Sequence, residues 1–401
     1  MDAGFWKAGH RPTLFAAFFY FDLSFMVWVL LGPLGVAIAA DLGLTPAQKG
    51  LMVAIPTLAG ALLRVVNGIL VDRLRPRLTG LLGQLVVIAG LAIAWFVGVN
   101  SFTGILAVGL VLGVAGSAFA VALPLASRWY PPQYQGTALG IAGAGNSGTV
   151  LAALFAPSLA IAFGWRNVIG LAVLPLLLAL VVYLVCARNS PNDPPAKPIK
   201  AYFAPLADVD AWWFMFFYAV SFGGFSGLSS SLTIYFNDDY GLPPVTAGYF
   251  TAACVFAGSL VRPLGGVLAD RVGGIRSLTL MYTIAALALF TVGTNLPTAL
   301  SAASVFVVAM LALGMANGAV FQLVPQRFRE EIGVMTGLVG MAGGIGGFYL
   351  ASSLGFAKQY AGSYANGFFI FGGLALLALV GLVSVKRRWR TTWGALVQAR
   401  I

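Results

Sequence analysis

Apolar runs long enough to cross a lipid bilayer recur through the whole of this chain, and they leave it few possible folds. They fall at 13–39, 49–71, 78–98, 103–127, 136–163 and 167–186, and resume after a polar break at 211–236, 245–269, 278–294, 298–324, 333–357 and 365–385. About 20 helical residues cross a hydrocarbon core about 30 Å thick. In lipid every backbone N–H and C=O must be satisfied within the segment, which a helix does and an open strand does not. The expected fold is therefore an all-α membrane protein with twelve transmembrane helices in two six-helix halves. Only 9% of the residues are charged and the mean hydropathy is +0.92, against about 25% charged in soluble domains. Residues 1–186 form the expected first half, 187–210 a cytoplasmic linker rich in Pro and Asn, and 211–401 a second half ending in a basic tail.

A repeat supports the division. Arg64, Gly68, Leu70, Asp72 and Arg73 match Arg262, Gly266, Leu268, Asp270 and Arg271 at a constant offset of 198 residues, close to half of 401. Two related halves are a common plan among transporters. The net charge of +11 does not indicate nucleic acid, because the basic residues sit in short loops between apolar runs. With both termini on the cytoplasmic side, the inner loops and tails carry 18 of the 23 Lys and Arg, and the outer loops carry Lys49, Arg166 and Lys358. That bias fixes the expected orientation in a cytoplasmic membrane.

The two remaining basic residues are Arg64 and Arg262. Eight helical residues rise about 12 Å, so an Asp-Arg pair at one membrane face places each arginine near mid-bilayer. A charge there costs about 2.5–3.5 kcal/mol on insertion scales. Asp22 is the only acid well inside a run, and one acid cannot neutralise two arginines. Either both guanidiniums bond backbone carbonyls, or they face a cavity that binds a small anion. Their planar fork of donors suits a planar oxyanion.

Glycines 136, 140 and 143 align with 333, 337 and 340 at an offset of 197. Spacings of three and four put them on one helix face, where a neighbouring backbone can approach closely. Asn146 interrupts the first glycine face with an amide whose NH₂ can donate to an anion. The Gly68-x-x-x-Asp72-Arg73 and Gly266-x-x-x-Asp270-Arg271 turns close the cytoplasmic ends of the second and eighth helices. There they are suited to gating, locking the inner face in one state of an alternating cycle. Cys186 and Cys254 lie in apolar runs, and His10 is the only histidine, so neither a metal site nor His-based enzymatic chemistry is expected, and no cofactor.

The gating turns resemble the loop signature of the major facilitator superfamily, with one departure: Arg75 stands where a glycine is usual. The paired arginines and the glycine stretches around Asn146 and Gly343-Gly344-Ile345-Gly346-Gly347-Phe348 resemble the nitrate/nitrite porter family within it. That resemblance covers essentially the whole chain. It implies a central site in which Arg64 and Arg262 hold the anion with Asn146 nearby. It also implies that Phe119, Tyr218 and Phe222 line the pocket, and that Gly143 and Gly340 are close-packing glycines. The family includes proton-coupled nitrate importers and nitrate/nitrite exchangers. Intramembrane carboxylates often serve proton relays, which makes Asp22 the proton-coupling candidate. The expectation is a secondary transporter, working as a monomer in the lipid bilayer, that imports nitrate with protons by alternating access. The alternatives are nitrate/nitrite exchange or nitrite export, another small anion such as formate or a dicarboxylate, and a non-transporting sensor.

Overall fold

A computed structural model describes residues 3–191, 193, 195–328 and 331–396. Asn192 and Pro194 of the linker, and Arg329 and Arg400 of the basic set, lie outside the described residues. All regular elements among the described residues are helices. We number the twelve crossing segments α1 to α12. The first, α1, runs Arg11–Trp28 and continues as Gly35–Leu42. Tight turns separate the two pieces, around Pro33, which has no N–H to give a helix.

Helices α2 and α3 are the two arms of Pro46–Val97, joined at Arg75, where the backbone leaves helical geometry at φ 66° and ψ 154°. The remaining spans are α4 Phe102–Ser127, α5 Thr137–Phe163, α6 Trp165–Cys186, α7 Val209–Tyr240, α8 Pro244–Val272, α9 Gly274–Gly293, α10 Ala299–Arg327, α11 Ile332–Ala361 and α12 Ala365–Thr391. Gly273 forms the sharp turn between α8 and α9 at φ 98° and ψ 142°. It stands 198 residues after Arg75, so the two halves repeat a turn as well as a motif.

The chain ends of α1 and α12 and the linker share one face, here the terminal face. There Thr13 Oγ1 donates to the Cys186 carbonyl at 3.1 Å, and the Trp389 ring stacks on Phe214 at 4.7 Å. The two halves meet through α1, α2 and α5 on one side and α7, α8 and α11 on the other.

Contact between the halves is tight near the opposite face. A methyl group at Gly50 of α2 would come within 2.8 Å of the Gly355 Cα of α11, and one at Gly248 of α8 within 2.5 Å of the Ala153 carbonyl of α5. Gly32, in the α1 turn, lies against the Ser230 carbonyl of α7. Lys49 of α2 pairs with Asp238 at the end of α7 at 2.9 Å. Toward the terminal face the same helices part: a methyl at Gly68, Gly140, Gly143, Gly333 or Gly337 would meet nothing within 4 Å. The molecule is sealed at the opposite face and open at the terminal face.

Candidate anion site

Arg64 projects from the middle of α2 into the interface and is 1% exposed. Its Nε donates to the Gly116 carbonyl of α4 at 3.3 Å, and one terminal nitrogen donates to the Gly340 carbonyl of α11 at 2.6 Å. The second bond crosses from one half to the other. The other terminal nitrogen, Nη2, is buried without a partner. Four rings surround the guanidinium: Phe222 at 4.9 Å, Phe119 at 5.2 Å, Trp28 at 5.5 Å and Phe25 at 5.9 Å. Aromatic faces attract a cation through their quadrupole, so the cage offsets part of the cost of desolvation while leaving one donor free.

Arg262 sits where α8 is interrupted. The α-helix of Pro244–Leu260 stops, and Arg262–Val272 begins with Pro263 in its first turn. The missing Pro N–H breaks the helix ladder and turns Arg262 toward the interface. Its guanidinium lies 5.6 Å from the Phe119 ring and 5.4 Å from the Phe321 ring of α10. Its Nη1 is buried without an acceptor. Phe119 thus faces both arginines, one from each half. The Tyr218 ring stacks on Phe222 at 5.2 Å and meets Phe321 edge-on at 5.0 Å. Its hydroxyl lies against the Arg262 guanidinium, yet makes no hydrogen bond of normal geometry. Among the described residues, two cationic donors and a phenol, all buried and without a hydrogen bond of normal geometry, converge where the halves meet. Unsatisfied buried polar groups are rare in folded proteins, and these have the chemistry to receive an anion.

Asn146 lies in a 3-10 turn, Ala144–Ser147, that interrupts α5. The turn is tied to α1: Ser147 Oγ donates to the Asp22 carboxylate at 2.6 Å, and the Gly148 N–H donates to the same group. Asp22 is therefore engaged as a clamp on the segment that presents Asn146. The backbone carbonyl of Asn146 accepts from Ser259 of α8 at 3.4 Å, one turn before Arg262. Its side-chain Oδ1 is buried without a partner. The amide NH₂, the donor expected from the sequence to face an anion, makes no hydrogen bond among the described residues either. Rotating the amide by 180° exchanges the two.

The glycines divide. Gly340 borders the site, with its carbonyl on Arg64, and a methyl there would touch the Arg64 Cδ and Phe119 at 3.5 Å, an ordinary contact. Gly143, expected from the family resemblance to be a close-packing glycine, has no close neighbour in this conformation. Its face looks into the open terminal side, where a methyl would meet nothing within 4 Å. The residues expected from the sequence to gate lie at the terminal face, away from the arginines. Asp72 pairs with Arg128 of its own half at 2.6 Å and accepts from the Tyr202 hydroxyl of the linker at 2.6 Å. Arg128 reaches Asp193 of the linker at 3.3 Å. Burial and the Asp72 carboxylate push Tyr202 up to about 12. Arg73, Asp270 and Arg271 are exposed, and Gly68 and Gly266 are part-buried. The sequence reading did not name Phe25, Trp28 or Phe321, which the fold brings against the arginines.

The sequence profile of the Major Facilitator Superfamily matches residues 14–351. The chain is 34% identical to the probable nitrate/nitrite transporter NarK2 of Mycobacterium tuberculosis, over 85% of this chain and 87% of that one. It is 32% identical to the probable nitrate/nitrite antiporter NarK1 of Thermus thermophilus, over 90% and 88%. It is 31% identical to the nitrite extrusion protein of Bacillus subtilis, over 89% and 90%. The chain belongs to the nitrate/nitrite porter family of the major facilitator superfamily. Among solved structures, a bacterial homologue of the human lysosomal transporter Spinster, in an inward-facing and occupied conformation, superposes with a TM-score of 0.69 at 19% identity. That match covers 96% of this chain and 98% of the other and shows the shared porter fold. In a porter of this fold the arginines stand at the seam between halves, where each half contributes one.

Proposed function

We propose that this porter moves nitrate across the cytoplasmic membrane by alternating access, as a proton-coupled importer. The observation that carries the reading is the pair of buried, incompletely bonded guanidiniums, Arg64 and Arg262, supplied by opposite halves and facing one aromatic ring. A planar anion held between them joins the halves, and its release at the open terminal face separates them. The similarity to proteins named as nitrate and nitrite transporters supports nitrate over formate or a dicarboxylate. The 18-to-three bias of basic residues supports cytoplasmic termini, which makes the open face the cytoplasmic one.

Asp22 is the proton-coupling candidate, because it is the only carboxylate well inside a span. An interior-negative potential opposes import of an anion by about 2.3 kcal/mol per 100 mV; one proton per nitrate cancels that opposition, and a second lets the potential drive uptake. A second reading, nitrate/nitrite exchange, is favoured by the engagement of Asp22 with Ser147 and Gly148, which gives that carboxylate a structural task. Vesicles containing the purified porter and no internal anion separate the two. An inward proton gradient drives nitrate uptake under the first reading, and Asp22→Asn removes that drive while sparing nitrate/nitrate counterflow. Uptake that ignores the gradient and requires internal nitrite establishes exchange.

A further inference from the structure

We infer that Phe321 of α10 is a positioning residue for the anion site, acting through Arg262. The inference rests on the anion-site reading. The two arginines are held differently. Arg64 is fully buried, bonded to two backbone carbonyls and enclosed by four rings. Arg262 is part-exposed, and two rings, Phe119 and Phe321, bound its guanidinium. Phe119 is shared with Arg64, so Phe321 is the ring of this cage that serves Arg262 alone.

Phe321 also meets Tyr218 edge-on, at 5.0 Å with the planes 89° apart, and packs 6.2 Å from Phe119. It therefore touches three groups of the site, and it does so while part-buried at the open side of the seam. A ring serving only as core filler would be expected deep in the half, among aliphatic side chains. The geometry instead gives Phe321 a π-face for the guanidinium of Arg262 and an edge for the phenol of Tyr218. With the ring in place, the long Arg262 side chain is confined near the orientation in which its free Nη1 points to the seam. Without it, Arg262 can swing into the open side, and binding then has to reorder it at an entropic cost.

The test combines Phe321→Leu, which keeps bulk and loses the π-face, with Phe321→Tyr, which keeps both. Two quantities are read on the purified full chain. One is the nitrate dissociation constant. The other is the rate at which phenylglyoxal modifies Arg262 without any anion, followed by peptide mass spectrometry. Phe321→Leu is expected to weaken nitrate binding by about 2- to 30-fold, the range set by one cation–π contact, and to speed labelling of Arg262 but not of Arg64. Phe321→Tyr is expected to restore both to near wild type, with thermal unfolding of all three proteins alike. Unchanged Arg262 labelling in Phe321→Leu overturns the inference, as does failure of the tyrosine variant to restore it. The labelling requires no substrate, so it judges Phe321 even if wild-type protein does not bind nitrate; that last result refutes the nitrate assignment instead.

Discussion

At Arg75 the backbone takes φ 66° and ψ 154°, a region populated almost only by glycine and costing other residues about 1–3 kcal/mol. Gly273 makes the equivalent turn in the second half without that strain. Glycine at position 75 adds about 0.5–1 kcal/mol of unfolded-chain entropy, less than the strain it removes. Arg75→Gly should therefore raise the thermal unfolding temperature in detergent, by a net stabilisation of about 1 kcal/mol, whereas Gly273→Ala should lower it. A destabilised Arg75→Gly protein would mean that the side chain holds the turn by contacts outweighing the strain. Asn146 is the other residue whose role is open to direct measurement. Asn146→Ala should weaken nitrate binding by about 1.5–3 kcal/mol, the worth of a hydrogen bond to a charged group, with normal folding, because alanine suits a helix. Unchanged affinity would leave Asn146 to the joint in which its backbone carbonyl accepts from Thr149 Oγ1 at 2.7 Å and from Ser259 Oγ at 3.4 Å. The residue scale is also where the sequence is least legible. Two arginines in apolar runs stand out by charge alone. Phe321 and Trp28 do not, since a chain with 29 Phe and 9 Trp does not reveal which rings face a guanidinium.

Helices carry the site by being interrupted at chosen points. Pro263 breaks α8 beside Arg262, the 3-10 turn of α5 presents Asn146, and α1 is broken around Pro33 where it touches α7. The spans themselves were legible because lipid imposes length and hydrophobicity on every one of them. Their interruptions were less so: a glycine face reads the same whether it packs or lines an opening, and Gly143 lines an opening in this conformation. The candidate gating turns belong to this scale as well. Asp72 is held by Arg128 and Tyr202 within its own half and the linker while the terminal face is open. Asp72→Asn and Asp270→Asn should accordingly change turnover several-fold and leave equilibrium nitrate binding within about twofold. A sharp loss of affinity in either variant, at an unchanged distribution of conformations, would place that carboxylate in the binding cavity rather than at a gate.

Across the whole molecule the seam is closed at one end and open at the other, and the closed end includes an ion pair between halves. Lys49 and Asp238 are only 19% and 14% exposed, so breaking the pair costs at least the surface-pair value of about 1 kcal/mol, enough to shift a balanced equilibrium about fivefold. Asp238→Asn should slow labelling of a cysteine placed at Gly143 by an impermeant thiol reagent, in a background lacking Cys186 and Cys254. The double charge swap Lys49→Asp with Asp238→Lys should restore the rate, and equal rates in all three proteins would show that the pair does not set the balance. The two-half plan itself was written in the 198-residue repeat; which end is open was not, because one sequence serves every state of the cycle. What unites the scales is the claim that Arg64 and Arg262 together hold nitrate through planar, two-point donation. Calorimetric titration of nitrate into the purified wild type, Arg64→Lys and Arg262→Lys tests it most directly. Lysine keeps the charge and loses the fork. The wild type should bind one nitrate per chain, and each lysine variant should bind at least about 10-fold more weakly with thermal unfolding near wild type. Nitrate binding of wild-type strength in either variant would contradict the site.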